Sequence, residues 1–130
     1  MTEAVAGITI LDGSSGPELP IVDGDGEAHA VVWPGTGARA RSLHRVRLRP
    51  GARTIPLLHP SEAVYYVMDG AGTVSDRSTG EAQPLRTGSM FHVDPQTTYV
   101  AEAGEDGMEL VGGPAPADPS LYESLGRRGG

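Results

Sequence analysis

Histidine and tyrosine are the residues of this sequence whose side chains could do chemistry. The histidines are His29, His44, His59 and His92, and an imidazole with a pKa of about 6.5 serves equally as an acid or as a base. Cysteine and lysine are both absent, which excludes a thiolate nucleophile, a disulfide and a Schiff-base lysine. The candidate chemistry is therefore proton transfer by imidazole and phenol groups.

Strand alternation predicts which of these side chains face an interior. In the stretch from Arg41 to Arg49 the arginines fall on odd positions, whereas His44 and the two apolar residues that follow it, at 46 and 48, fall on even positions. We therefore expect His44, Val46 and Leu48 to face inward and the arginines to pair with acidic residues across strands. The alternation leaves the direction of His92 open. His29 is expected to be exposed.

The composition predicts an all-β domain. The chain has 130 residues, of which 19 are Gly and 11 are Pro, a frequency of turn formers that favours short strands over a helical bundle. No Gly-rich phosphate loop, nucleophile elbow or HExxH helix is present. Strands are predicted at His29–Trp33, Ala40–Arg49, Ala63–Met68, Gly72–Asp76, Ser89–Val93, Tyr99–Ala103 and Met108–Val111.

Three segments divide the chain. Residues 1–28 are predicted to form an N-terminal arm that lays a strand against a neighbour, and residues 29–115 to form the barrel. Residues 116–130 are predicted to form a short C-terminal tail with a helical turn or two, capped by Asp118 or Ser120. The final residues Arg127–Gly130 are expected to be disordered.

Two stretches resemble the conserved motifs of the cupin superfamily. The first motif, G-x5-H-x-H-x3-E-x6-G, fits without a gap, and so does the second, G-x5-P-x-G-x2-H. The matched positions hold Gly51, Leu57, His59, Ala63 and Gly70 in the first motif, and Gly88, Asp94, Gln96 and Tyr99 in the second. The resemblance implies a single-domain double-stranded β-helix, the jelly-roll barrel of cupins.

The residue types at the motif positions differ from those of metal-binding cupins. The resemblance places the family's metal ligands at Leu57, His59, Ala63 and Tyr99, where only one imidazole remains. Leucine and alanine have no lone pair to donate, so a standard metal site and a metal cofactor are not expected. Glu62 is one residue from the lost Glu position and is expected on the opposite face of its strand. A replacement metal site built from His44, His59 and His92 stays open.

The resemblance also implies where a substrate would bind. His59 and Tyr99 are the candidate catalytic residues, with His44 as a third, because all three are expected to face the barrel interior. The candidate substrate-binding residues are Leu57, Ala63, Tyr65, His92, Val46 and Leu48. Tyr66 is expected to point away from Tyr65, and Trp33 to anchor the core or a subunit contact.

Three functions are consistent with these residues. The first is a metal-independent enzyme of bacterial specialised metabolism, an isomerase, cyclase or lyase that works on a small organic molecule in an apolar pocket. Some sugar epimerases of the cupin superfamily similarly use His with Tyr and no metal. The second is a small-molecule binding protein without chemistry, a sensor or accessory protein. The third is a metalloenzyme with relocated histidines.

Charge and hydropathy limit the partners. A net charge of −7 and a pI of about 4.9 argue against nucleic acid as a partner. The sequence contains neither an apolar run long enough for a membrane span nor the pattern of a secretory signal, so a cytoplasmic location is expected. The resemblance to cupins implies a homodimer.

Overall fold

The computed structural model describes residues 2–5 and 7–125. Its strands are β1 (Thr2–Val5), β2 (Ile8–Leu11), β3 (Val22–Asp23), β4 (Gly26–Val32), β5 (Leu43–Leu48), β6 (Arg53–Thr54), β7 (Ala63–Asp76), β8 (Ala82–Arg86), β9 (Met90–Val93) and β10 (Tyr99–Pro114). Two 3-10 helices follow β4 and β10, at Pro34–Thr36 and Pro119–Tyr122. Each of the seven predicted strands overlaps an observed one, whereas β1, β2, β8 and the two-residue strands β3 and β6 were not among them. Residues Arg127–Gly130, expected to be disordered, lie outside the described residues.

The main sheet is a jelly roll in which β7 and β10 are each long enough to belong to both layers. One layer has the order β4-β5-β10-β7-β9 and uses the second half of β10 and the first half of β7. The other layer has the order β3-β6-β10-β7-β8 and uses the remaining halves. The predicted all-β jelly-roll barrel is therefore confirmed. The described residues contain no helix that is both long and apolar enough to cross a membrane.

The two long strands bend together, and a glycine is needed at the bend. Gly70, the last glycine of the first motif, has φ +89 and pairs with Met108 of β10. A Cβ at this position would lie 2.1 Å from the carbonyl oxygen of Gly107, so only glycine fits. We call this end of the barrel the bend end, and the opposite end, where β7 and β10 begin and β5 starts, the mouth.

The alternation predicted for β5 is confirmed. His44, Val46 and Leu48 are each 1% exposed, on the face that meets the core. On the other face Arg45 forms an ion pair with Glu109 of the neighbouring β10, and Arg49 an ion pair of 3.5 Å with Asp25. In β7 the same alternation buries Tyr65 at 3% exposure and leaves Tyr66 at 41%.

Both ends of the chain contribute more to the barrel than the predicted boundaries suggested. The hairpin β1–β2 is a separate sheet, but residues 19–28, assigned above to the arm, lie in the barrel. Leu19 and Ile21 belong to the core, and the Leu19 amide donates to the carbonyl of Ala28 over 2.7 Å.

The predicted cap at Asp118 is present, since its carboxylate accepts from the Ser120 amide over 3.0 Å. His29, expected to be exposed, is half-buried beside the Gly16 carbonyl at 2.9 Å.

Candidate functional site

The loop between β6 and β7 holds His59 at the mouth. Leu57 exchanges two backbone hydrogen bonds of 2.9 Å with Tyr99, which fixes the loop against the start of β10. The Gln96 amide donates to the His59 carbonyl over 2.8 Å. Gln96 occupies the glycine position of the second motif and keeps the left-handed conformation at φ 64, a backbone region that is sparsely used by residues with a Cβ. The motif geometry therefore persists here without its glycine.

Four buried side chains form a continuous hydrogen-bonded chain across the mouth. Nδ1 of His59 lies 2.8 Å from Oδ2 of Asp118, and Nε2 of His59 lies 2.8 Å from the hydroxyl of Tyr99. The Tyr99 hydroxyl is in turn 2.8 Å from the hydroxyl of Tyr65. None of the four residues is more than 4% exposed. We call this set the proton chain.

The direction of the hydrogen bonds follows from the partners. An ionised Asp118 can only accept, so Nδ1 of His59 carries the proton and donates. When the ring carries only this one proton, its Nε2 accepts from the Tyr99 hydroxyl, and the Tyr99 oxygen accepts from Tyr65. Every donor therefore points toward Asp118, and the two ring nitrogens of His59 are both engaged.

The electrostatics of the proton chain keep its ends in different protonation states. Burial would raise the pKa of Asp118, but hydrogen bonds from His59 and Ser120 outweigh it, and the pKa lies below its ordinary value. Burial raises the pKa of Tyr65 to about 12. Burial also raises the pKa of Tyr99, together with the charge and hydrogen bond of Tyr65. Near neutral pH the carboxylate is ionised and both phenols keep their protons.

A second polar pair lies beside the proton chain. Nε2 of His44 is 2.6 Å from the hydroxyl of Tyr122, whereas the buried Nδ1 of His44 has no hydrogen-bond partner. Nε1 of Trp33 is also buried without a partner, and the Trp33 ring packs on Tyr122 with centroids 4.9 Å apart. Burial, reinforced by His59, lowers the pKa of His44 to about 4, so its ring is neutral at pH 7.

Two cavities open beside the proton chain. The side cavity, of about 390 Å³, lies between the edges of β8 and β9 and is lined in part by Tyr99, Phe91, Thr97, Gln83, Asp76 and His92. The mouth cavity, of about 210 Å³, is lined by apolar residues that include Ile55 and Leu57, by His59, and by Ser120 and Leu121 of the tail. Tyr99 faces one cavity and His59 the other.

The candidate residues are distributed differently from the prediction of an open central pocket. Val46, Leu48, Ala63 and Tyr65 are at most 3% exposed, and they line neither cavity because they pack against one another in the core. The expectation that they surround an open apolar pocket is therefore wrong. Leu57, in contrast, lines the mouth cavity.

His92 does not join the other histidines. Its side chain is 49% exposed on the outer side of β9, where Nε2 lies 3.1 Å from the Glu62 carboxylate. On β9 it is Phe91, stacked on Tyr65 at 5.1 Å, that takes the inward direction. The three-histidine metal site is therefore wrong, and His92 belongs only to the rim of the side cavity. Within residues 7–125 no three His, Asp or Glu side chains lie close enough to hold a metal ion.

Asp118 and Tyr122 are functional candidates that the sequence analysis missed. Both come from the 3-10 helix of the tail and its cap, and each reaches a buried histidine. The tail carried a cap signal and the apolar residues Leu121 and Leu125, which predict that it packs on something. No local pattern shows that the surface it covers is the mouth.

Comparison with known proteins agrees with this architecture. The model of the cupin domain family matches residues 44–111, which is more than half of the chain. The chain belongs to the cupin family. No curated protein gave a significant match to this cupin.

Solved structures of other cupins resemble it over most of its length. A cupin-like protein from Thermotoga maritima is 24% identical, with a TM-score of 0.66 over 92% of this chain and 95% of its own. An RmlC-like cupin from Shewanella frigidimarina is 20% identical, with a TM-score of 0.65 over 88% and 92%. A salicylate 1,2-dioxygenase from Pseudaminobacter salicylatoxidans is 28% identical, with a TM-score of 0.59 over 78% of this chain and 28% of its own.

The residues at the family's metal positions do not fit a divalent ion. Leu57 and Ala63 supply no donor atom, and a neutral Tyr99 with a raised pKa is a poor ligand. His59, the remaining donor, has one ring nitrogen on Asp118 and the other on Tyr99. The described side chains at these positions therefore form hydrogen bonds and apolar contacts with one another.

Proposed function

We propose that this cupin is a metal-independent enzyme that moves a proton on a small organic molecule, with Tyr99 and His59 as its acid–base groups. The supporting observation is the proton chain, in which two hydrogen bonds of 2.8 Å link the buried carboxylate of Asp118 through His59 to Tyr99, a phenol that lines the side cavity. Isomerases, cyclases and lyases all use such a transfer, and we place the enzyme in bacterial specialised metabolism.

The proposed step is a relay in which no tyrosinate accumulates. A proton of the substrate passes to the Tyr99 oxygen while the Tyr99 hydroxyl proton passes to Nε2 of His59. The imidazolium that forms is stabilised by the Asp118 carboxylate, which already accepts from Nδ1. The reverse relay returns a proton to a different atom of the substrate, so an isomerisation is completed without net uptake of protons. The raised pKa of Tyr99 does not oppose this concerted transfer.

The side cavity supports a small, polar, uncharged substrate. Its volume of about 390 Å³ falls in the range of small-molecule sites, roughly 300–1,000 Å³. Gln83, Thr97 and Asp76 offer hydrogen bonds, whereas Phe91 supplies an apolar wall. A hydroxy ketone or a related carbonyl compound matches this lining, since its carbon-bound proton is acidic enough for a His–Tyr relay.

A binding protein without chemistry is the second candidate. It is favoured by the burial of Tyr99, which is 2% exposed, and by Phe91, which stacks on Tyr65 and separates it from the side cavity. In this case the ligand occupies the side cavity, and the proton chain only stabilises the mouth.

Deuterium exchange separates the two candidates without knowledge of the product. Wild-type protein is incubated in D2O with a panel of hydroxy ketones, aryl ketones and β-keto esters, and deuterium uptake is measured by mass spectrometry. An acid–base enzyme catalyses the exchange of a carbon-bound hydrogen for deuterium in at least one compound. Tyr99→Phe and His59→Gln are each expected to lower the rate of this exchange by about 10²-fold or more. Glu105→Gln, at an exposed position that lines neither cavity, is the control and leaves the rate unchanged.

The contrary results are equally clear. If ligand-observed NMR shows binding to the wild type while no compound exchanges, the binding-protein candidate is correct. If Tyr99→Phe exchanges as fast as the wild type, the assignment of the acid–base groups is wrong.

A further inference from the structure

The exposed apolar side chains of this molecule are concentrated on two surfaces. Among the described residues eight large apolar side chains are exposed, and six of them lie either on β2 or on the outer face of β7 and β9. Monomeric proteins rarely leave such groups clustered in contact with water, so each surface is a candidate interface.

The first surface lies on the side of β7 and β9 that faces away from the core. Alternation along β7 buries Ala63, Tyr65 and Val67 and turns the residues between them outward. Met90 of β9 pairs with Tyr66, so its side chain lies on the same face. We call this surface the apolar patch, and its members, between 37% and 69% exposed, are Val64, Tyr66, Met68 and Met90.

The second surface belongs to the N-terminal hairpin, which consists of β1 and β2. These two strands pair with each other and with no described strand of the barrel. Ile8 and Ile10, two positions apart on β2, are 62% and 59% exposed. A two-stranded hairpin is only marginally stable in water by itself, so this hairpin needs a surface on which to pack its apolar side chains.

The N-terminal hairpin and the apolar patch lie on the same side of one layer but at opposite edges of it. The layer has the order β4-β5-β10-β7-β9. Just after the hairpin, Ser14 lines a small cavity with His29 of β4 and Arg45 of β5, whose side chains point away from the core. Neighbouring strands are about 4.8 Å apart, so the apolar patch begins roughly 14 Å from β4. Within one chain both surfaces stay uncovered.

We propose that the apolar patch is the docking site for the N-terminal hairpin of a second copy of this chain, in a two-fold dimer with reciprocal exchange. The outer faces of the two layers pack against each other, with the axis between them and parallel to the strands. This rotation places the β4 edge of one copy over the β9 edge of the other, so each hairpin meets the apolar patch of its partner. The contact is closed, because neither surface is left to recruit a third copy.

The available area is sufficient for a stable dimer. A fully accessible large side chain exposes about 150–250 Å², so the six side chains expose roughly 600 Å² in each copy. Both copies contribute, and the total of about 1,200 Å² lies at the lower end of specific interfaces. Arg45 and Glu109, in the middle of the outer face, form an ion pair with each other and leave no unpaired charge there.

The proposed contact reaches the side cavity and goes beyond the proposed function. Met90 belongs to the apolar patch and also lines the side cavity, as does His92 on the same strand. A hairpin that covers Met90 therefore closes part of the cavity rim, so each protomer completes the side cavity of the other. The dimer is measured without a substrate, so it stands or fails whether or not the protein catalyses proton exchange.

Sedimentation velocity of the full chain tests the dimer. The wild type is expected to be a dimer at about 100 μM protein, and Ile10→Lys and Tyr66→Lys each to raise the Kd of the dimer by about 100-fold or more, since each substitution occurs twice. Leu58→Lys is the matched control, because Leu58 is exposed and apolar but lies at the mouth, outside both surfaces; its Kd stays unchanged. A monomeric wild type, or an Ile10→Lys variant that dimerises like the wild type, would overturn the proposal.

Mixing the two lysine variants distinguishes reciprocal exchange from a dimer that joins patch to patch. In the mixture the intact hairpin of Tyr66→Lys meets the intact patch of Ile10→Lys, so mixed dimers form at concentrations at which each variant alone is monomeric. A patch-to-patch dimer would gain nothing from mixing, and that result would contradict the exchange.

Cross-linking locates the contact, because the natural sequence contains no cysteine. Ile10→Cys and Met90→Cys are mixed and treated with a short flexible bismaleimide, and the product is identified by mass spectrometry. A cross-link between the two variants is expected to form faster than a cross-link within either variant alone. If Met90→Cys couples mainly to itself, the apolar patch binds another patch and the hairpin assignment is wrong.

Discussion

The bend end and the mouth of this barrel are equally buried but differ in what is buried. At the bend end the core is apolar, and Leu48, Val67, Met108 and Leu110 are at most 3% exposed. At the mouth the same degree of burial encloses a carboxylate, two imidazoles and two phenols. Apolar groups gain free energy on burial without a specific partner, whereas polar groups lose free energy unless they are hydrogen-bonded. Burial of apolar side chains at the bend end therefore stabilises the fold. This stabilisation offsets the free-energy cost of burying polar groups at the mouth.

The largest expected effect is at the bend end. Leu110→Ala removes a side chain that is 1% exposed and leaves a cavity, so we expect the free energy of unfolding to fall by about 2–5 kcal/mol. Urea denaturation followed by circular dichroism measures it. A loss below about 1 kcal/mol would contradict the assignment of stability to this end.

The next effect is a pH dependence that arises at the mouth. His44 takes up a proton near pH 6.5 when unfolded but near pH 4 when folded, because burial lowers its pKa. Between these values the unfolded state binds more protons, so stability falls as the pH falls from about 6.5 to about 4, by about 3 kcal/mol in all.

A pair of variants tests this window. His44→Leu should flatten the pH dependence of urea denaturation between pH 6.5 and 4. Tyr65→Phe should not alter it there, because the pKa of Tyr65 is raised to about 12 and lies far above the window. An unchanged slope in His44→Leu would show that another group is responsible.

The smallest effects distinguish the middle of the proton chain from its end. Tyr99→Phe leaves the Tyr65 hydroxyl without an acceptor and Nε2 of His59 without a donor, so we expect a loss of about 1–3 kcal/mol. Tyr65→Phe removes only the terminal donor and should cost less than about 1 kcal/mol. Thermal unfolding of the two variants side by side measures the difference. Equal losses would mean that the hydrogen bonds do not run toward Asp118.

The fold could be predicted from the sequence because its determinants are local or periodic. The motif spacing from Gly51 to Gly70 and the alternation in β5 depend on residues close together in the chain, and both appear in the structure as expected. The unpredicted strand β8 includes Pro84 and four exposed residues out of five, a pattern that gives little strand signal.

The candidate site could be predicted only in part, for a physical reason. The inward direction of His44 follows from alternation along β5, and the motif position of Tyr99 beside His59 from spacing. Asp118 and Tyr122 reach the mouth through tertiary contacts across about half the chain, which no local pattern encodes. The sequence also could not show whether the barrel interior is filled or open. Alternation gives the direction of Tyr65 and its neighbours, whereas the filling of the core depends on how these side chains pack.

The passage of β7 and β10 through both layers has a consequence for how the barrel comes apart. Each layer contains one half of both strands, so the loss of one layer would expose the core side of the other. The barrel should therefore unfold as one cooperative unit, with amide protons in both layers exchanging at the same rate under conditions that report global opening. Residues 117–125 share no strand with the barrel, so we expect their amide protons to exchange faster than those of the two layers.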